Sequence, residues 1–144
     1  MIYFDTSFLA PLTLPEATSE GIAAFIHKLP ADQFAVSRWT RVEFSSVIAW
    51  EVRMGGLDAD ADARADARFE AVVRDSFAVL PPTPADFDLA RHYLPRIETG
   101  LRASDALHLA IASNQSAETI YSLDQGLIRA GAILALPVSA GPAA

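Results

Sequence analysis

The sequence has no cysteine. That excludes disulfides and thiolate zinc sites, and it suits a reducing compartment. No run of apolar residues approaches the 18 or so that mark a membrane-spanning helix, and no basic segment followed by an apolar stretch opens the chain. The expectation is a cytoplasmic protein with no membrane association. Positive charge is scarce: 11 basic residues against 18 acids give a net charge of −7, and only one of the basic residues, Lys28, is lysine. Nucleic-acid binders usually carry a basic surface, so long-range attraction for a polyanion is poor. The remaining basic residues are arginines, whose planar fork suits local, bidentate contact with phosphate. Arg38, Arg41, Arg96 and Arg102 are the candidates, because they lie near the motifs described below.

What is present is apolar and alternating. Hydrophobic residues make up 51% of 144 residues, enough for one compact domain with a real core. Short apolar runs at 2–4, 33–37, 77–82 and 118–124 read as strands, and 132–136 as a possible fifth. Helical patterns lie between them: 16–29 with Ile22, Phe25, Ile26 and Leu29 on one face, Ser37 capping a helix to about Met54, then 58–75, 84–94, 103–115 and 125–131. This alternation predicts an α/β fold: a central parallel sheet of four to five strands, flanked by helices on both faces. The domain is read as 1–136 and the segment 137–144 as a loose tail.

Four acids sit where a carboxylate is costly. Asp5 and Asp124 end predicted strands, at the sheet edge where open α/β proteins place their sites. Glu43 shares a helical face with Trp39, Val47, Trp50 and Met54, opposite Arg38, Arg41 and Ser45. Asp105 lies beside Leu101, Leu109 and Ala112. Each has an ordinary explanation. Asp5 and Asp124 can cap the turns that follow them, Asp105 can sit at the positive end of a helix, and Glu43 can pair with an arginine from another helix. His108 is read as a packed core residue and not as a ligand.

Together the four are harder to explain, since gathered carboxylates repel one another. A hard cation resolves the repulsion. Mg2+, with Mn2+ as a substitute, takes oxygen ligands and keeps several waters that can serve hydrolysis. Thr6, Ser7 and Ser122 supply hydroxyls that can hold a carboxylate or a bound water. Zinc is not expected, because no Cys or His cluster is present. The acids of 58–75 alternate with Ala and Arg and read as a solvated helical face. If Glu43 belongs to a metal cluster, Glu43→Gln should melt no lower than the wild type in chelator. If it is half of a buried ion pair, the same change should cost roughly 3–5 kcal/mol.

The segments "YFDTSFL", "TRVEFSSVI", "LRASDALHLAIA" and "YSLDQGL" together resemble the PIN-domain family, in its order and rough spacing, and most closely its small VapC-like toxins. The resemblance covers essentially the whole chain, and "LRASDALHLAIA" is its most specific piece. It implies a metal-dependent endoribonuclease acting on RNA as the toxin of a toxin–antitoxin pair, with Asp5, Glu43, Asp105 and Asp124 as the acidic metal-site residues. It also implies a homodimer and a cognate antitoxin protein over the acidic groove. Many members carry a further acid shortly after the last one. Here Gln125 and Gly126 follow, which weakens the case for a second, tightly held ion. The competing class is a PIN-like binding module with weak or no catalysis. A response regulator would need a late lysine, and a haloacid-dehalogenase-like phosphatase a second aspartate two residues after Asp5.

Overall fold

The computed structural model describes residues 1–14 and 17–143. Five parallel strands form one sheet in the order β3-β2-β1-β4-β5. They are β1 (Ile2–Phe4), β2 (Phe34–Ser37), β3 (Ala78–Leu80), β4 (Thr119–Tyr121) and β5 (Val138–Ser139). The helices are α1 (Thr6–Leu9), α2 (Ser19–Ile26), α3 (Arg38–Arg53), α4 (Ala59–Ser76), α5 (Pro84–Tyr93), α6 (Ala103–Asn114) and α7 (Gln125–Ile133). The expected sheet and helical layers are present, and among the described residues no helix is long and apolar enough to cross a membrane.

Strand β1 is central, so its side chains are buried on both faces. Ile2 and Phe4 point to one side with Phe8, Phe34, Phe44 and Phe69, while Tyr3 points to the other with Leu109, Ile111, Ile120 and Leu127. This is the two-residue period of a strand read on two cores. It explains why "IYF" has no polar position at all.

Three readings of the sequence are corrected. Helix α2 is shorter than 16–29: Glu16 lies outside the described residues, and at the other end His27 is the C-cap. Pro30 disfavours helical geometry at Leu29, which instead closes a turn onto the Ile26 carbonyl. The fifth strand is not 132–136. Helix α7 runs on to Ile133, and β5 pairs with β4 from within the segment read as a loose tail, Tyr121 standing opposite Ser139. The domain therefore extends past residue 136.

The third correction concerns α3. Its buried row is Thr40, Phe44 and Ile48, and Phe44 stacks on Phe69 of α4 with ring centroids 3.8 Å apart. The row read as inward, Val47, Trp50 and Met54, faces solvent; Trp50 is 52% and Met54 66% exposed. Glu43 is on the margin of the core and not in the middle of it.

Gly131 shows how closely α7 approaches the edge strand. A Cβ placed there would collide with the Val138 side chain. Gly131→Ala should therefore cost about 1–3 kcal/mol, the usual range for overpacking. Urea unfolding measures it, and an unchanged midpoint would show that β5 moves aside freely.

Candidate active site

The chain leaves β1 for β2 on one side, and β4 returns on the other. Strand order thus reverses at β1, and a crevice opens beyond the carboxyl ends of β1 and β4. Asp5 follows the first of these strands, and Ser122 to Asp124 follow the second.

Asp5 is 4% exposed and N-caps α1. Its Oδ1 accepts from the Phe8 backbone N–H at 3.2 Å and from the Ser7 hydroxyl at 2.8 Å. Its Oδ2 accepts from Ser122 at 2.9 Å. Ser7 Oγ in turn accepts the backbone N–H groups of Leu123 and Asp124, at 2.9 and 3.2 Å. One hydroxyl therefore ties the end of β1 to the end of β4. Asp124 caps α7, with Oδ1 accepting from Gly126 and Leu127 at 2.6 and 3.0 Å. The capping roles open to Asp5 and Asp124 are both filled, and neither removes the residue from the crevice.

Glu43 comes from α3, whose start is fixed by a reciprocal cap between Ser37 and Thr40. The alternative of an arginine partner is not realised among the described residues. Its Oε2 instead accepts from the Thr6 hydroxyl at 2.6 Å and lies 2.5 Å from His108 Nε2. Asp105 is the third residue of α6 and sits in its first turn.

These acids, with Thr6, Ser7 and His108, line one cleft of about 270 Å³. The structure thus brings together all four acids proposed from the sequence, and Ser122 supports Asp5 from behind. Among the described residues no lysine or arginine lines the cleft. The effect of this imbalance differs by residue. Burial pushes the Asp5 carboxyl up, although His108, Ser7, Ser122 and the Phe8 N–H act against the rise. Burial, and then the negative charges of Asp124 and Glu43, push Asp105 up as well. Burial acts on Glu43 in the same direction, but His108, Thr6 and Ser104 together outweigh it and hold that carboxyl below its usual range.

The sequence reading passed over His108 and Tyr3. His108 is 1% exposed, so it is a core residue as expected, yet its ring bridges Glu43 and the Tyr3 hydroxyl, which is 2.8 Å from Nδ1. The available signal was its place three residues after Asp105, on the same helix. Of the four arginines, Arg41 is paired with Glu70 and Arg96 with Glu98. Arg38 and Arg102 form no ion pair among the described residues.

The donor set is all oxygen except for one committed imidazole. Among the described residues no three Asp, Glu or His side chains converge tightly enough to hold an ion directly. Asp124 keeps Oδ2 clear of its capping bonds, and Glu43 keeps Oε1 clear of Thr6 and His108. Unspent carboxylate oxygens around an open, cation-poor cleft fit Mg2+, which binds few carboxylates directly and retains water.

The family follows from a match of residues 2–133 to the PIN domain: the chain belongs to the PIN-domain family. Its fold is shared by FitAcB from Neisseria gonorrhoeae, with a TM-score of 0.74, 21% identity and 96% of each chain covered. VapC20 from Mycobacterium tuberculosis, described as a sarcin–ricin loop cleaving toxin, superposes with a TM-score of 0.68 at 23% identity, over 91% of this chain and 95% of its own. VapBC2 from Rickettsia felis, solved on a DNA fragment from its promoter, gives 0.72 at 12% identity, over 96% and 98%. No curated protein sequence matches the chain.

Proposed function

We propose that this protein is a divalent-cation-dependent endoribonuclease that hydrolyses RNA phosphodiester bonds as the toxin of a toxin–antitoxin pair. The observation that carries the reading is the cleft itself: four acids at the strand-order reversal, with no lysine or arginine lining it among the described residues. Membership of the PIN-domain family supports it, as does the fold shared with an RNA-cleaving toxin and with VapBC-type complexes. A cognate antitoxin and a second copy of the chain are the proposed protein partners.

Asp5, Glu43, Asp105 and Asp124 would hold the cation, Mg2+ or Mn2+. When bound, it would offset their repulsion and activate water for attack on phosphorus. The chain's own work is orientation. Ser7, Ser122 and the Phe8 N–H fix Asp5, and Thr6 fixes Glu43 from the opposite wall. Asp105 and Asp124 face each other's charge across the gap that the cation would fill. Arg102, exposed and three positions before Asp105, is the first candidate for contact with a backbone phosphate.

The nucleophile is assigned to water and not to the ribose 2′-hydroxyl. A cation held by the four acids would activate a water beside them, whereas the imidazole at the cleft has both ring nitrogens engaged. Cleavage should therefore leave a 5′-phosphate and a 3′-hydroxyl. Chelator should abolish cleavage, and Mg2+ or Mn2+ should restore it. Products ending in a 2′,3′-cyclic phosphate would overturn the mechanism, and RNA binding without cleavage in Mn2+ would leave a binding module.

A further inference from the structure

The best-defined interaction at the cleft runs inward, away from any substrate. Tyr3 on β1, His108 on α6, and Glu43 on α3 form a chain of side chains that ends at Thr6 on α1. Its links measure 2.8, 2.5 and 2.6 Å. Tyr3 is fully buried and His108 nearly so. The hydrogen-bond roles along the chain follow from its two ends. The Tyr3 hydroxyl can donate its proton to His108 Nδ1, 2.8 Å away. A carboxylate oxygen only accepts, so Nε2 is the atom that donates to Glu43. The imidazole is then the tautomer with its proton on Nε2, set from the core outward.

Both bonds to Glu43 fall on the same atom, Oε2. A carboxylate held at one oxygen from two directions cannot turn without breaking both bonds. Oε1, which neither Thr6 nor His108 holds, is the oxygen turned to meet a cation or its water. Partners that orient a ligating group in this way commonly change metal affinity or activity by 10- to 100-fold when removed.

We infer that Tyr3 and His108 are positioning residues for Glu43: the phenol sets the imidazole's tautomer, and the imidazole, with Thr6, fixes the carboxylate so that Oε1 is presented to the cation. The inference rests on the proposed function and adds to it a buried support that starts from the central strand. It also gives Tyr3 a second role. The hydroxyl makes the residue more than a core aromatic, and phenylalanine would fill the same space.

The test uses the whole protein, with Mn2+ alone as the probe, measured by isothermal titration calorimetry after chelator treatment. His108→Leu should weaken Mn2+ binding about 10- to 100-fold. Tyr3→Phe, which removes a single oxygen, should weaken it about tenfold. His108→Gln retains an N–H donor for Oε2 and should bind close to wild type, a rescue that a purely space-filling role would not give. With Mn2+ saturating, the KM for RNA should be unchanged in Tyr3→Phe. The 15N shifts of the His108 ring should report a proton on Nε2 in the wild type and a mixture of tautomers in Tyr3→Phe. If the wild type binds Mn2+ and all three variants bind it equally well, the positioning role is wrong and the nuclease reading stands. A wild type that binds no Mn2+ overturns the proposed function and this inference with it. Should His108→Leu fail to fold, Tyr3→Phe and His108→Gln decide the matter by themselves.

Discussion

Asp105→Asn should lower RNA cleavage by roughly 10²–10³-fold, the range seen when one oriented electrostatic group is removed from an active site, and it should raise the melting temperature of the metal-free protein. The two effects share a cause. Burial and the neighbouring charges of Asp124 and Glu43 raise the Asp105 pKa in the folded state. A carboxyl with a raised folded pKa costs nothing below its unfolded pKa, near 3.9, and destabilises the fold once pH passes the folded value. Asparagine removes that charge and keeps an oxygen to accept the Arg102 backbone N–H. At a half-exposed position the gain is under about 1 kcal/mol, or about 1–3 °C for a chain of this size. The increase should be present at pH 7 and absent below about pH 4. A variant that melts lower than the wild type in chelator at pH 7 would mean that the acids are not in conflict.

Glu43→Gln should do the reverse to stability. The acid-cluster argument alone makes this variant as stable as the wild type or more so. The structure reverses the sign, because His108 and Thr6 engage the carboxylate and hold its pKa low. A group with a depressed folded pKa contributes stability that is fully present above its unfolded value, near 4.3, and lost as pH falls through the folded value. Losing hydrogen bonds to a charged group costs about 1.5–3 kcal/mol, or roughly 4–10 °C. The gap between wild-type and variant melting curves should therefore be widest near neutral pH and close as the solution is acidified below about pH 4. Cleavage should fall as well. An equal or higher melting temperature at pH 7 would remove the His108–Glu43 bond from the account.

The sequence makes legible what is local. Asp5 and Asp124 close apolar runs that are too short for anything but buried strands, and their places at the sheet edge follow from the alternation of elements. Asp105 and Glu43 stand out because apolar residues surround them at helical spacing. The α3 wheel nevertheless identifies the wrong row as buried. Two apolar rows run along that helix, and only contact with Phe69 of α4 selects Phe44 and Ile48 for the core. Strand β5 is two residues long, which is too short to show a period, and the helical pattern of α7 runs through the segment proposed for it. The place of His108, three residues after Asp105, sets it near the cleft, but nothing local names its partners. Its partners lie 105 positions away on β1 and 65 away on α3, and nothing in "ALHLA" points to either.

The join between the ends of β1 and β4 also has a consequence for the timing of synthesis. Asp5 leaves the ribosome well before the hydroxyl that holds its second oxygen, which is 117 positions later, at Ser122. The central strand waits equally long for β4, its neighbour on that side. A chain growing at about 5–20 residues per second therefore carries Asp5 and Glu43 for seconds with the β4 side of the cleft still unmade. Nascent polypeptides stalled before Tyr121 lack the wall that Asp124 supplies and cannot form the cleft.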